Sequence, residues 1–298
     1  MAADAKQVLL ERLAGMDKMP SVPVVLTPLL RYLEKPLEQL EIQKVVDLIS
    51  QDKSLVAQCI HMANSPLFGR YQTVDSVRGA VVALGMQRMR DIATSCCVLT
   101  LLPSSHAGID PLVFWEHSFG CALVCRQFAN KIGFKDPGKA YLAGLLHDIG
   151  IVVNLWILPT EFRSAMELAR REGIPLHEAE AATLGITHCE SGRILAERWN
   201  FMPDVVEVVS WHHDVPRATA YCDLVALISI SDLLCRMSGL GHGHTEKREV
   251  NLLEAPGFEL LLQSCSSLKD FDWARFTFEL EAYMDEVHRL VNLLYRAQ

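Results

Sequence analysis

No Cys-x-x-Cys pair occurs in the 298-residue chain, although it holds nine cysteines. That count is also too sparse for a small secreted scaffold, which excludes a disulfide framework and leaves the thiols to be read as reduced. Basic residues are outnumbered, 28 Lys plus Arg against 36 Asp plus Glu, for a formal charge of -8. No basic block is present that could neutralise a phosphate backbone, so nucleic acid is not an expected partner. His147, Asp148 or Asn154 interrupts the most apolar stretches before they reach the roughly 20 residues of a membrane span, and the N-terminus has no signal-type apolar region. A soluble, cytoplasmic protein with no membrane partner is the expectation. Internal repeats, low-complexity tracts and a strong strand-turn-strand signal are also lacking.

What remains is helical punctuation and enough apolar residues, 50% of the chain, for a substantial core. In VVLTPLLRYL, IQKVVDLISQ, LVAQCIHMANS and VRGAVVALGMQRMRDIATSCCVLTLL the apolar residues recur at three and four, with breaks at Pro23, Pro36, Pro66 and Gly85. The irregular stretch Pro103–Pro111 separates this first bundle from a second set of helices. The spacing predicts an all-α fold in two parts, residues 1–105 and residues 106–298. In the second part, Gly133 reads as a C-cap, Thr187 and Glu190 have capping-box spacing, and Pro203 suits a first helical position. GLGHGHTEKREVN, residues 239–251, reads as a polar, Gly-rich mobile loop. The segment 276–295 reads as a long amphipathic helix, expected to pack on its own bundle rather than on a second copy.

The apolar run AGLLHDIGI, residues 143–151, carries an unexpected His147-Asp148 pair. A buried carboxylate without a partner is costly, and a buried imidazole needs its nitrogens satisfied, so the pair calls for a cation, a hydrogen-bond network or water. Ligand-type residues embedded in apolar helices are His117, His147, Asp148, His188, His212, His213 and Asp232, from five predicted helices. Such a set suits zinc, iron, manganese, cobalt or nickel and exceeds one tetrahedral site, so two divalent ions bridged by Asp148 account for it economically. Iron or manganese is expected first. The blander reading, a metal-free scaffold of core histidines bonded to one another and to water, stays open. His61, His177 and His288 read as surface or mixed-face residues; GHGH could grip a metal adventitiously through His242 and His244, but it reads more simply as a flexible solvated turn. Cys96, Cys97, Cys121 and Cys125 read as core, and nothing marks Cys189 as a nucleophile.

The order WEHS, LLHDIG, THCESG, SWHH and SISD resembles the metal-binding series of the HD superfamily of phosphohydrolases. The wider chain, from about Met19 to Asp232, resembles the HDOD domain, a signalling relative within that superfamily. Its opening helices carry the matching Asn64-Ser65 and Leu84-Gly85 signatures. The resemblance implies an all-α fold with an HD-like C-terminal part and a role in bacterial signal transduction, with response regulators or kinases acting in trans. Carried over by position, His117, His147, Asp148 and Asp232 match the HD core ligands. His188, His212 and His213 match the extra ligands of the binuclear HD-GYP phosphodiesterases. If the protein is an enzyme, the resemblance implies a metal-dependent phosphohydrolase in which Asp148 bridges the metals and activates water, acting on a nucleotide or cyclic dinucleotide. Two departures stand out: Ile151 replaces the HD-GYP lysine, and Asp214-Val215-Pro216 stands where GYP would follow. Loss of that cation removes an electrostatic contribution and counts against cyclic di-GMP hydrolysis. Arg193, Arg198 and Arg236 are the candidates to replace it.

Overall fold

The computed structural model describes residues 11, 26–33, 35–68, 73–99, 109–247 and 251–296. Among these residues there are helices and no strand. They cluster into two compact units, one within Met1–Lys18 together with Pro103–Glu281 and one within Met19–Leu102 together with Ala282–Gln298. The expected boundary near residue 105 lies outside the described residues.

The smaller unit comprises α1 (Leu26–Leu33), α2 (Ile42–Ile49), α3 (Lys53–Ala63), α4 (Val77–Leu84) and α5 (Met86–Leu99). Leu29, Val45, Ile49, Cys59, Met62 and Ile92 are buried in its core. Asp52 caps α3 by accepting from the backbone N–H groups of Ser54 and Leu55. The two signature pairs have physical roles. Asn64 bonds both backbone groups of Val74, at 2.9 and 2.8 Å, and so pins the chain entering α4 to the end of α3. Gly85, at φ 85°, makes the sharp turn from α4 to α5 that a residue with a Cβ would resist.

The larger unit contains α6 (Pro111–Ile132), α7 (Pro137–Leu146), α8 (Ile149–Ile157), α9 (Pro159–Glu172), α10 (Leu176–Thr183), α11 (His188–Arg198), α12 (Pro203–Trp211), α13 (Cys222–Met237) and α14 (Pro256–Ser264). The chain ends in α15 (Trp273–Arg296). Its punctuation follows the sequence. Asp110 and Asp136 cap helices that open on proline, and Gly133 closes α6 at φ 69° with Phe134 N–H bonding Ala129 C=O at 2.8 Å. Thr187 and Glu190 form both bonds of the capping box. Along α15, Phe276, Leu280, Met284, Val287 and Leu290 form a buried stripe.

The sequence pattern predicts one helix across residues 137–157, and the structure breaks it. Asp148, at ψ 15°, leaves the helical path, and the chain resumes through a tight bond from Ile151 N–H to Asp148 C=O. This stretch is long and apolar enough to cross a membrane by length and composition alone, but 89% of its most apolar window is buried inside the protein. It is a core element, its first half packed on α6 and its second half on α11.

Candidate metal centre

Close helix approaches bring the ligand-type residues together. A Cβ at Gly144 would meet Cys125 Sγ at 2.6 Å, so α7 lies against α6 and carries His147 beside His117. A Cβ at Gly150 would lie 1.8 Å from His188 C=O and 2.6 Å from Gly192 N, so the backbones of α8 and α11 touch. That contact sets Asp148 beside His188. His212 and His213 end α12, and Asp232 faces inward from α13. His117, His147, Asp148, His188, His212 and Asp232 are all buried, and His213 sits at the rim.

The two carboxylate oxygens of Asp148 face different imidazoles. Its Oδ2 lies 3.2 Å from His117 Nε2 and 3.3 Å from His147 Nε2. Its Oδ1 lies 3.2 Å from His188 Nε2 and 3.4 Å from His212 Nε2. Asp232 Oδ1 joins the first group, 3.3 Å from His117 Nε2, while its Oδ2 is 3.9 Å from His213 Nδ1. Donors about 2.1 Å from a shared ion sit about 3 Å apart, so these spacings suit metal coordination. Asp148 Oδ1 and His188 Nε2 are buried without a hydrogen bond, as expected of atoms whose partner is a cation. The donor set can therefore hold metal, and the described residues form two clusters of this kind, each with ligand atoms within 4.8 Å of one another.

The far side of each ring is tied down. Nδ1 of His117 bonds Leu240 C=O at 2.6 Å, Nδ1 of His147 bonds Gly144 C=O at 2.7 Å, and Nδ1 of His212 bonds Val208 C=O at 3.0 Å. His188 Nδ1 bonds the Glu180 carboxylate at 2.6 Å. Each bond places the proton on Nδ1 and frees Nε2 to face Asp148, the arrangement that orients and enriches a metal-ligating imidazole.

Without a cation, protons supply the missing positive charge. Burial opposes charge on His117, but bonds to Asp148 and Asp232 outweigh it and hold the ring up to about 10. His212 is likewise opposed by burial and raised to about 10 by Cys189 and Asp148. Burial works against the Asp148 carboxylate as well, yet the surrounding His147, His188, His242 and His117 keep it well below the usual carboxylate range. Rings that hold protons up to about 10 must release them to bind an ion. Loading near neutral pH is expected to release protons from His117, His188 and His212, all three raised above the ordinary imidazole range, and the apparent affinity should fall as pH falls. Calorimetric titration in buffers of different ionisation enthalpy measures the release, which should diminish as pH rises and the rings become neutral before loading.

Several placements depart from the sequence reading. The 239–251 segment is not a solvated turn where it meets the site: Leu240 and His242 are buried, and His242 Nε2 lies 2.7 Å from Asp148 Oδ2. His177 is half-buried and stacks on His213 at 4.1 Å, whereas His61 and His288 are exposed as expected. Glu180, unnoticed in the sequence, is fully buried and also accepts from His188 N–H and Asn154 Nδ2. Its signal was present, since it shares the inward face of α10 with Leu176 and Ala179. Cys189 Sγ is 3.9 Å from both ring nitrogens of His212. Burial raises that thiol, but His212 and His188 bring it down to about 7. Of the three arginines considered, Arg236 touches the constellation, bonding both oxygens of Asp232 at 3.1–3.2 Å and pairing with Glu246. Arg193 lines an adjoining cleft, and Arg198 is exposed. Ile151 is buried in the core of α8.

An all-helical protein with a buried His/Asp cluster able to hold metal is the class these observations define. The HDOD domain family model matches residues 19–215, and the chain belongs to the HDOD family. It is similar to the crystal structure of an HDOD domain protein of unknown function from Geobacter sulfurreducens, 30% identical, with 99% of each chain covered and a TM-score of 0.83. It shares its fold with a candidate phosphohydrolase from Shewanella amazonensis SB2B, 23% identical, covering 96% of this chain and 98% of that one at a TM-score of 0.73. An uncharacterized protein of Treponema pallidum (strain Nichols) is 26% identical over 223 residues, 74% of this chain. The chain spans 43% of the length of that relative.

Proposed function

We propose that the chain is an HDOD-type signal-transduction module whose HD residues hold two divalent ions, iron or manganese foremost, with zinc, nickel and cobalt also suited to the donors. The observation that carries this reading is the division of imidazoles between the oxygens of Asp148: His117 and His147 with Asp232 on one side, His188 and His212 on the other, and His213 at the rim. A bridging carboxylate offsets charge on both ions at once. Signalling is favoured over catalysis by membership of the HDOD family and by the buried Ile151, which supplies no cation beside the site. Partners such as a response regulator or a kinase then act in trans.

One feature favours a second reading, a metal-dependent phosphohydrolase. A cleft of about 490 Å³ opens beside Cys189 and His213, with Arg193, Arg217 and Trp211 in its wall. The guanidinium of Arg217 lies 4.2 Å from the Trp211 ring centroid. Arginine forks suit phosphate oxygens, and an indole face suits a planar base. When bound, divalent ions supply an activated water and neutralise phosphate charge; the chain's part would be to orient the phosphate through Arg193 and Arg217.

Elemental analysis of protein purified without added metal tests the first reading, with two ions per chain expected. A content near zero, unchanged in His147→Ala, ends both readings. A hydrolysis screen over phosphomonoesters, nucleotides and cyclic dinucleotides, with manganese or iron under reducing conditions, is expected to show no turnover. Turnover abolished by Asp148→Ala would instead establish the second reading.

A further inference from the structure

The strap at residues 238–247 follows α13 and is fastened along its length. Lys247 N–H bonds Gly173 C=O at 2.8 Å, His244 Nε2 bonds Ile174 C=O at 2.9 Å, and Arg236 pairs with Glu246 at 2.7 Å. Gly239 at φ 88° and Gly243 at φ 79° turn the backbone on either side of Leu240–His242, conformations that a side chain would resist. Between those turns the strap makes two contacts with the centre. Leu240 C=O fixes His117 through Nδ1, and His242 projects inward, only 4% exposed. Its Nε2 lies 2.7 Å from Asp148 Oδ2, and its ring centroid is 4.4 Å from that of His117.

All of these contacts fall on one side of Asp148. The Oδ2 side has His117, His147, Asp232 and now His242, and it is covered by the strap. The Oδ1 side has His188 and His212, and its neighbours His213 and Cys189 line the open cleft. A structural site closes its coordination shell with protein donors, whereas a reactive one leaves a position for water or substrate.

We propose that His242 is a metal ligand: it completes the shell of the ion on the Oδ2 side of Asp148 and seals it, leaving the ion beside the cleft as the one that exchanges ligands. This rests on the two-ion reading above. The two halves of the centre thus differ in role, one fixing the fold around Asp148 and the other meeting small anions from solvent.

Stepwise Co(II) titration of the apo-protein, followed by visible absorption, tests the assignment. Wild type is expected to bind two ions. His242→Ala should weaken one of them by at least about tenfold, the scale of losing a donor near a metal, leave the other within about twofold, and regain affinity when free imidazole is added. His242→Cys provides a check that does not depend on loss of function. Its thiolate should add a sulfur-to-cobalt charge-transfer band beyond any seen in wild type, and that band should grow with one of the two equivalents. Circular dichroism of the apo-proteins establishes that the variants fold. Two unchanged affinities in His242→Ala, or equal weakening of both without imidazole rescue and no new band in His242→Cys, overturn the proposal while leaving the two-ion reading intact. A wild type that binds no cobalt overturns both.

Discussion

On the two-ion reading, Asp148→Asn is expected to strip metal from the protein, lowering its content from two ions per chain to below about 0.2 because a bridging anion would serve both positions. The carboxamide keeps the size and shape of the side chain, so packing around the broken 137–157 stretch is retained. What changes is charge, together with donor strength at both oxygens. His188→Ala makes the informative contrast. It removes one imidazole from the Oδ1 group and is expected to spare the ion facing His117 and His147. Elemental analysis after dialysis against a weak chelator measures both variants. Retention of two ions by Asp148→Asn would show that the carboxylate does not bridge.

Gly150→Ala should be the most damaging single-methyl addition in the larger unit. The new Cβ would sit 1.8 Å from His188 C=O. Overpacking usually costs about 1–3 kcal/mol, and the atom met here is backbone that no rotamer can move aside, so about 3 kcal/mol or more is expected. For a unit of this size that corresponds to a fall in melting temperature of about 10 °C, read by calorimetry. Because α11 must shift, His188 would leave Asp148 and one ion should be lost as well. Gly241→Ala is the control, since its Cβ would meet nothing closer than 3.8 Å and stability should stay within about 0.5 kcal/mol. Equal melting temperatures for the two variants would refute the close-approach account.

The helical architecture could be read directly because its signals are local. The capping box of Thr187 and Glu190, the opening Pro203 and the closing Gly133 each act within one turn of chain. The site residues embedded in apolar helices were also visible, because a histidine or aspartate on a buried face demands an explanation. Two residues were less legible. His242 lies among glycines in GLGHGH, a composition shared by solvated turns and by straps held through long-range bonds to Gly173 and Ile174. No single-sequence period encodes those bonds. Glu180 looked like one more acid on a short helix, and only its register with Leu176 and Ala179 distinguished it. The break at Asp148 was hidden for a related reason. Residues on both sides are apolar, so no change in the pattern marks where one helix stops and the next begins.

The centre draws histidines from α6 and α11, from the ends of α7 and α12 and from the strap, and carboxylates from the head of α8 and from α13, so no short piece of chain can assemble it. On the two-ion reading, ion binding adds to the stability of an already folded unit, and every tenfold excess of free metal over its dissociation constant adds about 1.4 kcal/mol against unfolding. A cell starved of the ion would therefore carry a looser chain, more readily cut by proteases. In that case the abundance of the protein, as well as its occupancy, would follow the metal supply.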